Sequence, residues 1–592
     1  MVTVTRASTR ALQRHRPLLP DAPPGRMSSL KIERTRLLTK ERTLKLDSLP
    51  HVCLLIAMDK KGGGAAIGSV AVIGAGVSGL AAAFRFRKEG VAVTVFEAEV
   101  PGGVIQTEGK DGFLWEKGPN TMAENHPVVG QVISELQLQQ KIAWPADQSK
   151  RYTVRNGKAV MLPASPLGFL TTEALSPQAK LRVLMEPFLW RRRGNSVGKS
   201  GGAAIDEDES VGDFLERHVG KEPVDYLVDP FLAGTAGSDP QSIAVKYGLR
   251  GLWELEQRHG SLFVGALAGA LSKLAKKASA RTKGVAAAPD SSKLLTSTIK
   301  GRTGSSFSFL GGMQTLPNAL MERVGRDRVR TGCAVVGLDG RVLTGAKPER
   351  WEWKVSYTQR ANKNKKRHEM FDAVLVTAPL HKVRNFEVVK AGKKFPLDWL
   401  PQVKYAALSV IVQAFRLEDI KRPLPGFGVL VPSKEQDFRT LGTIFSSSMF
   451  SDRVPPGYAL FSSFMGGTRD QQLAGRPAAE LQKLAFQDLK RLIGVEGNPV
   501  LTRHICWPQA FPVYGKGYGA VLKAMETMER DLPGVYFAGN HRNALSVGKA
   551  LQSGYEAAGN IVEDLKSRRS GNPVTVASAL PPPGTCQETV IC

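Results

Sequence analysis

Cysteine is scarce in this sequence, and the few copies form no recognisable pattern. The 592 residues include five cysteines, none of them in a Cys-x-x-Cys pair. An odd and scattered set argues against a disulfide framework and is typical of a reducing compartment. The nine histidines likewise never fall at the spacings that metal ligands adopt, so the sequence predicts no metal site.

Long apolar runs are missing as well. A membrane-spanning helix needs about 20 predominantly apolar residues, whereas the apolar segment 52–58 has only seven. We therefore expect no transmembrane helix. The chain is nevertheless long enough to form two or three domains, each with its own hydrophobic core.

Aromatic residues are absent from the most basic parts of the chain. Of the net charge of +27, residues 1–64 contribute +8, residues 265–304 contribute +7 and residues 360–367 contribute +5, and none of these segments contains Phe, Trp or Tyr. Surfaces that bind single-stranded nucleic acid combine basic residues with aromatic ones, on which the bases stack. The basic composition therefore does not indicate a nucleic-acid partner.

Residues 1–65 are Arg-rich, Ser/Thr-containing and poor in acidic residues. This composition is typical of a removable organelle transit peptide. Two alternatives remain open, namely a disordered N-terminal arm and a true translation start at Met27 or Met58. The composition does not distinguish a mitochondrial from a chloroplast destination. Low-complexity stretches at 194–210 and 272–304 and the Pro-rich end of the chain also predict disorder.

The most informative segment is a glycine motif that follows an apolar strand. Residues 70–80 read VAVIGAGVSGL, and the next apolar run ends at Glu97. Gly74 permits a tight turn, Gly76 leaves room for a pyrophosphate at the helix N-terminus, and Gly79 allows the helix to pack closely on the strand. A carboxylate at Glu97 can bind ribose hydroxyls. The pattern predicts a dinucleotide-binding βαβ unit.

Two further glycine-containing segments indicate which dinucleotide is bound. Gly102 and Gly103 follow the ribose acid, as expected if more backbone packs against a cofactor, although a hairpin turn explains the pair equally well. Near the other end, residues 535–540 read VYFAGN and precede a helix predicted to begin near Gly548. That helix start is a second potential anion site.

Together these motifs resemble the FAD-dependent amine oxidase and desaturase superfamily. Within it, the chain is similar to the protoporphyrinogen oxidases of the plant mitochondrial type, over about residues 68 to 567. The segments that carry this similarity are RY (151–152), EPFLW (186–190), DPFLAGT (229–235), DPQS (239–242), SFSFLGGMQ (306–314), GFGVLVP (426–432) and AFP (510–512).

The resemblance implies an α/β fold with a Rossmann-like FAD-binding domain of the amine oxidase type, a mixed-sheet substrate domain and a helical membrane-associated domain. The expected divisions are a leader (1–65), FAD-binding segments (66–145, 305–345 and 525–567), a helical membrane-associated domain (146–262), a basic disordered insertion (263–304), a substrate-binding domain (346–524) and a disordered tail (568–592).

The resemblance also implies the activity, which is oxidation of protoporphyrinogen IX to protoporphyrin IX by FAD and molecular oxygen, with release of hydrogen peroxide, in haem and chlorophyll biosynthesis. It implies a peripheral protein of the mitochondrial inner membrane or of a chloroplast membrane, a homodimer, and hand-over of the product to a chelatase. The alternatives are a related desaturase or amine oxidase, or a non-catalytic tetrapyrrole-binding flavoprotein. Residues 534–559 lack the cysteine that covalent amine oxidases use to tether their flavin.

Site residues carried over from the resemblance fall into two groups, and no catalytic base can be named. For the substrate they are Arg151, which is expected to pair with a propionate, the apolar residues Leu408, Leu424 and Phe445, and the Gly234 backbone, for which a helix-terminating turn is the alternative. For FAD they are Gly74, Ala75, Gly76, Val77, Ser78, Gly79, Glu97, Gly102, Gly103, Gly118, Pro119, Asn120, Thr121, Val335, Trp507, Gly539, Asn540, Leu545, Ser546 and Val547.

Two features leave the interpretation open. Many relatives place an arginine beside the glycine pair, whereas here Val100 and Pro101 precede Gly102, so a side-chain contact to the cofactor phosphates is in doubt there. Residues 180–193 combine apolar residues with a basic cluster and Trp190, a pattern that suits the interface of an anionic membrane. A helix that faces a protein core explains the same apolar residues.

Overall fold

The computed structural model describes residues 66–124, 126–146, 150–163, 165–189, 209–269, 271–272, 306–343, 350–543 and 545–570. The predicted leader lies outside these ranges, as do residues 194–208 and most of the predicted insertion and of the predicted tail. Residues 568–570, assigned to the tail from the sequence, end a helix instead. Among the described helices, none combines the length and the apolar character that crossing a bilayer would require.

A five-stranded parallel sheet forms the centre of the dinucleotide-binding region. Its strands stand in the order Val329–Arg330, Ala92–Phe96, Ser69–Ile73, Ala373–Val376 and Val535–Phe537. The central strands are mostly apolar because both faces of a parallel sheet are covered. The chain order reverses between Ser69–Ile73 and Ala373–Val376. Ligands of such sheets bind beyond the carboxyl ends of the strands at this switch point.

Helices Val77–Lys88 and Val547–Ser570 pack together in the core of this region. Ser78 Oγ donates a hydrogen bond of 2.7 Å to the Ala550 carbonyl. A Cβ atom added at Gly554 would lie 1.9 Å from the Ser78 carbonyl oxygen. Only glycine therefore permits the observed approach of the two helices.

A second five-stranded sheet covers the other face of the dinucleotide-binding sheet. Its strands stand in the order Asn362–Phe371, Arg350–Gln359, Cys333–Leu343, Glu387–Lys390 and Lys393–Lys394. The fully buried Trp353 belongs to the same apolar cluster as Ile73 and the helix Tyr518–Asp531. Its indole N–H donates to the Pro533 carbonyl, so the ring is satisfied although it is buried.

A seven-stranded mixed sheet forms the region predicted to bind the substrate. Its single parallel pair joins Gly428–Leu430 to Arg151–Arg155, and the other pairs are antiparallel. The strand order is Leu501–Pro512, Tyr405–Arg416, Tyr458–Gly466, Gly442–Ile444, Gly428–Leu430, Arg151–Arg155 and Lys158–Met161.

Smaller elements complete the described part of the chain. A hairpin pairs Thr107–Lys110 with Phe113–Glu116, and Ser306–Phe309 lies between Met122–Ala123 and Ile142–Ala143. Short 3₁₀ turns occur at Gln139–Lys141, Arg326–Arg328, Leu417–Asp419 and Ser451–Arg453. Other helices are Pro127–Glu135, Pro166–Thr171, Pro177–Leu184, Glu186–Leu189, Val211–Val219, Lys221–Pro223, Asp229–Ala236, Val245–Gly248, Arg250–His259, 262–269, Thr315–Val324, Leu380–Val383, Ser446–Met449, Gln471–Ala474, Ala478–Ile493 and Asn540–Asn543.

A π-helical turn, Val224–Val228, leads into the helix Asp229–Ala236. Pro230 has no N–H group and cannot bond to the Tyr226 carbonyl, as an ordinary residue four positions later in a helix would. The buried Thr153 hydroxyl donates to that carbonyl instead, at 3.2 Å. This bond attaches the helices of residues 165–189 and 209–269, called the helical region below, to the seven-stranded sheet.

Three predicted domain boundaries differ from the structure. The strands of residues 151–161 belong to the seven-stranded sheet rather than to the helical region. Strand Ala373–Val376, assigned to the substrate domain from the sequence, pairs with Ser69–Ile73 in the dinucleotide-binding sheet. Residues 262–269 form a helix, so the boundary predicted at residue 262 is too early. Each difference depends on contacts between residues far apart in the sequence.

The apolar residues of segment 180–189 face solvent. Leu181 is 58% exposed and Phe188 is 83% exposed, and Leu184 and Leu189 are exposed as well. The alternative of a core-facing helix is therefore wrong for these residues. Two short helices separated by Met185 replace the single helix that the segment suggests.

Candidate functional site

The glycine turn after strand Ser69–Ile73 is shaped by its glycines. Gly74 has a φ of +104°, a conformation that favours glycine. A Cβ added at Gly79 would lie 2.0 Å from the Gly74 carbonyl oxygen. The Thr377 hydroxyl lies 3.0 Å from the carbonyl oxygens of both Ile73 and Gly74. The close packing predicted for Gly79 is confirmed.

Gly76 differs from its two neighbours in the motif. It caps the helix Val77–Lys88, with no capping hydrogen bond from a described side chain. An added Cβ would meet no described atom within 4 Å. The glycine here is therefore not required by packing within the protein. The open space and the uncapped helix N-terminus fit an incoming phosphate.

Glu97 and the glycine pair close this end of the crevice. The Ala75 N–H donates to a Glu97 carboxylate oxygen at 2.7 Å, and the Glu99 N–H donates to the other at 2.8 Å. Burial raises the pKa of Glu97 despite these two bonds. Gly102 N–H donates to the Ala75 carbonyl at 2.8 Å, and a Cβ on Gly103 would lie 3.5 Å from the Gly76 Cα. The structure thus brings the two glycine motifs together.

The segment Gly118–Thr121 lies against the same region. A Cβ on Gly118 would meet the Val104 carbonyl oxygen at 2.2 Å, next to the glycine pair. The buried Asn120 donates to the Gly118 carbonyl at 3.2 Å, which holds the turn around Pro119. Trp507 donates from its indole nitrogen to the Lys117 carbonyl at 2.7 Å. This bond joins the seven-stranded sheet to the predicted cofactor segment.

Val335 is near Glu97 through its neighbour in the chain. The Cys333 N–H donates to the Glu97 main-chain carbonyl at 2.7 Å, and Val335 follows two residues later in the same strand. The half-buried Val335 packs against the cluster that contains Ile73. The fold therefore brings this predicted cofactor residue to the region of Glu97.

The C-terminal cofactor segment begins where strand Val535–Phe537 ends. Gly539 has a φ of +128°, and its N–H donates to the Ser553 hydroxyl at 3.0 Å. Tyr514 donates from its hydroxyl to the Asn540 carbonyl, which fixes the turn. Ser546 accepts from the Lys549 N–H and so caps the helix that begins at Val547. Leu545 packs between this region and the helical region.

Two polar residues of this site were not predicted from the sequence. Thr377 holds the first glycine turn, as described above. His541 is fully buried, and neither of its ring nitrogens has a hydrogen-bond partner among the described residues. Burial, together with the neighbouring Arg542, lowers the pKa of His541 to about 3, so the ring is neutral. For Thr377 the sequence held one signal, namely its position directly after the apolar run 373–376, which is typical of a buried strand.

The predicted substrate arginine lies in the seven-stranded sheet. Arg151 is half-buried, and its guanidinium lies 5.0 Å from the centroid of the Phe427 ring. No carboxylate in the described part of the chain forms an ion pair with it, and burial lowers its pKa. A half-buried cation without an anionic partner is costly unless a ligand supplies one.

The other predicted substrate residues lie in two neighbouring clusters. The buried Phe445 and the half-buried Leu424 pack with Tyr152, the residue after Arg151. Leu408 packs with Ala233, the residue before Gly234, and pairs across the strands with Trp507. The sheet therefore places Leu408 beside a predicted cofactor residue, whereas Phe445 packs with the residue that follows the predicted propionate partner.

Comparisons with known proteins agree with this arrangement. Residues 77–562 match the family of flavin containing amine oxidoreductases. The chain is 43% identical to protoporphyrinogen oxidase 2, chloroplastic/mitochondrial, of Arabidopsis thaliana, over 84% of this chain and 94% of that protein. It is also 43% identical to the mitochondrial protoporphyrinogen oxidase of Nicotiana tabacum, over 84% and 95% of the two chains.

Solved structures show a similar fold at low sequence identity. Cyclohexylamine oxidase from Brevibacterium oxydans IH-35A superposes with a TM-score of 0.54 at 16% identity, over 84% of this chain and 99% of that one. This likeness concerns the fold alone. The predicted fold of a flavin-binding amine oxidase is confirmed.

Proposed function

The chain belongs to the flavin-containing amine oxidoreductase family and, within it, to the protoporphyrinogen oxidases, and we propose that it oxidises protoporphyrinogen IX to protoporphyrin IX with FAD and oxygen. The observation that carries the proposal is the half-buried Arg151, which lacks an anionic partner among the described residues. It lies in the sheet that Trp507 joins to the cofactor segment. A propionate of the substrate supplies the missing negative charge.

The described residues fit FAD. Around Gly76 the backbone leaves an open space at an uncapped helix N-terminus, where a pyrophosphate is favoured. Glu97 is positioned to bind ribose, and the turn at Gly539 supplies backbone on the far side of the switch point. FAD, when bound, accepts the hydrogens removed from the substrate and passes the electrons to oxygen. The protein's part is to bind, orient and exclude water.

Arg151 and the apolar clusters would hold the macrocycle. A guanidinium pairs with a carboxylate in a bidentate arrangement that an ammonium group does not reproduce. Phe427 covers one face of the guanidinium and limits its access to water. Leu408 and the Gly234 backbone would then contact the apolar ring system. Positioning of this kind is a large contribution to rate when a cofactor performs the chemistry.

The decisive experiment is anaerobic reduction of the bound flavin. The FAD-loaded chain is mixed with protoporphyrinogen IX without oxygen, and the visible absorption of the oxidised flavin should bleach. Admission of air should restore that absorption and produce porphyrin fluorescence. A flavin that remains oxidised with this substrate overturns the proposal and favours a desaturase, an amine oxidase or a binding role.

The role of Arg151 is tested with a modified substrate. Arg151→Met should raise KM by about 10- to 100-fold, because a hydrogen bond to a charged group contributes about 1.5–3 kcal/mol. Protoporphyrinogen dimethyl ester lacks both carboxylates, so the variant and the unmodified chain should bind it equally. Arg416→Met is the matched control. Arg416 is an exposed arginine of the same sheet that pairs with Glu418, and its replacement should leave KM unchanged.

We also propose that the helical region docks on a membrane surface. Three segments of the chain are linked there, since Lys180 donates to the Leu170 carbonyl and Glu186 accepts from the Leu262 and Phe263 N–H groups. Together they expose a group of large apolar side chains, Leu167, Leu170, Leu181, Phe188, Phe263 and Leu267. An exposed apolar surface of this kind is typical of a peripheral membrane protein.

An organelle membrane is the proposed location. The plant relatives are named as chloroplastic or mitochondrial, and the first 65 residues have the composition of a transit peptide. Expression of the full chain fused at its C-terminus to a fluorescent protein would test this proposal. Fluorescence that stays in the cytosol would contradict it.

A further inference from the structure

Helix Asp229–Ala236 is attached to the seven-stranded sheet at both of its ends. At its first residue, the buried Asp229 accepts hydrogen bonds from the Ser433 N–H at 2.6 Å and from the Arg469 guanidinium at 3.1 Å. Arg469 also donates to the Val431 carbonyl at 2.9 Å. One arginine therefore joins the start of the helix to the chain that follows strand Gly428–Leu430.

The other end of the helix is held by the residue before that arginine. The Thr468 hydroxyl donates to the Asp239 carboxylate at 2.6 Å and accepts from the Asp239 N–H at 2.8 Å. The Thr468 N–H donates to the Gly237 carbonyl at 2.7 Å. Burial alone would raise the pKa of Asp239, but hydrogen bonds from Ser242 and Thr468 outweigh it and hold the pKa below its ordinary value. Both acids are thus held by two consecutive residues, which we call the 468–469 clamp.

The clamp determines how closely the helix lies on the sheet. A Cβ added at Gly234 would lie 2.4 Å from a methyl carbon of Leu430, so the helix and the strand are already at contact distance. Leu408 belongs to the adjacent cluster with Ala233. A shift of the helix would change the space between the Gly234 backbone and these leucines.

We propose that Thr468 and Arg469 are positioning residues for the macrocyclic substrate, because they fix the two ends of the helix, and with it the Gly234 backbone, as one wall of the pocket. This inference rests on the proposed function. Neither residue forms a hydrogen bond or an ion pair with the predicted cofactor segments in the described part of the chain, so the clamp should act on substrate binding rather than on the flavin.

The test compares Arg469→Met with the unmodified full chain loaded with FAD. The variant should raise KM for protoporphyrinogen IX about tenfold, with kcat and the flavin absorption spectrum unchanged. Amide hydrogen exchange should accelerate in residues 231–237 and remain unchanged in residues 74–80. Arg469→Lys should recover part of the KM, since a lysine can still reach Asp229 but cannot also bond to the Val431 carbonyl.

Two further variants separate positioning from folding. Thr468→Val removes the hydroxyl at almost constant volume, and it provides a second reading if Arg469→Met does not fold. Arg476→Met is the matched control, because this exposed arginine pairs with Glu480 at the start of helix Ala478–Ile493, and its loss should leave both KM and exchange unaltered.

The possible results have distinct meanings. Faster exchange in residues 231–237 with an unchanged KM overturns the inference, and so does a loss of kcat and flavin absorption as large as the change in KM. Failure of the unmodified chain to oxidise protoporphyrinogen IX overturns the proposed function and this inference with it. A normal unmodified chain together with an unaltered Arg469→Met variant overturns the inference alone.

Discussion

Gly76 and Gly79 belong to one motif, yet replacing each by alanine should have opposite effects on the protein without FAD. Gly76 has a φ of −68°, which alanine adopts without strain, and an added Cβ meets nothing described within 4 Å. Gly76→Ala should therefore raise the free energy of unfolding by about 0.4–1 kcal/mol, since alanine reduces the freedom of the unfolded chain.

At Gly79 the added Cβ would lie 2.0 Å from the Gly74 carbonyl oxygen and 2.8 Å from the Thr377 hydroxyl. The first of these neighbours is backbone and cannot rotate away. Overpacking of this kind costs about 1–3 kcal/mol or more. Gly79→Ala should therefore lower the melting temperature whether or not FAD is present.

FAD affinity should fall in the Gly76→Ala variant, although this variant is the more stable of the two without FAD. A methyl group at Gly76 occupies the space proposed for the pyrophosphate, so Gly76→Ala should lose FAD affinity by at least about tenfold, which corresponds to about 1.4 kcal/mol. Thermal unfolding without FAD, and titration of FAD by quenching of its fluorescence, measure the two quantities separately. A Gly76→Ala variant that binds FAD as tightly as the unmodified chain would refute the assignment of the crevice.

Three other predictions concern separate parts of the molecule. Burial raises the pKa of Glu116 from 4.5 to about 7, so its contribution to stability is complete below pH 4.5 and is lost as the pH rises through 7. From pH 5 to pH 8, the free energy of unfolding of the unmodified chain should therefore fall by about 3 kcal/mol relative to that of Glu116→Gln, as measured by denaturant unfolding. Equal pH dependence of the two proteins would contradict this. Gly554→Ala should yield little folded protein on size-exclusion chromatography, because the Ser78 carbonyl occupies the space that the Cβ requires; a normal yield would contradict the packing argument. Phe188→Ser should weaken flotation with anionic phospholipid vesicles. Leu417→Ser, at an exposed site next to the seven-stranded sheet, should not weaken it. Equal losses would contradict the proposed membrane surface.

The βαβ unit could be predicted because its information is local. The strand, the three glycines and Glu97 lie within 29 residues, and the steric reasons for Gly74 and Gly79 lie largely within the motif itself. Gly74 and Gly79 confirm this reasoning directly. The cofactor contacts of Gly76 and Glu97 remain predictions, although the space and the geometry that they require are present.

The domain boundaries could not be predicted in the same way. Val70 pairs with Ala373 in the dinucleotide-binding sheet, and Gly428 pairs with Arg151 in the mixed sheet. These partners are separated by hundreds of residues, and neither strand carries a local signal of the sheet that it will join. A prediction that divides the chain into consecutive blocks therefore fails wherever the chain crosses between sheets.

The short helices of the apolar surface illustrate a second limit. Glu186 looks like an exposed acid in the sequence, but it is buried and contacts His218 at 2.6 Å and the main chain of residues 262 and 263. A buried carboxylate needs such partners. The partners of Glu186 come from distant segments. The break at Met185 and the outward orientation of Phe188 therefore depend on contacts that the periodicity of the sequence does not reveal.

The close contact between helices Val77–Lys88 and Val547–Ser570 also bears on how the chain is made. Ser78 and Ala550 are separated by 472 residues. At a synthesis rate of about 5–20 residues per second, the first helix emerges roughly 25 to 95 seconds before the helix that covers it. The part of the first helix that Val547–Ser570 covers in the folded protein is uncovered throughout that interval. Protection against aggregation is therefore needed during translation, long before any flavin can be bound.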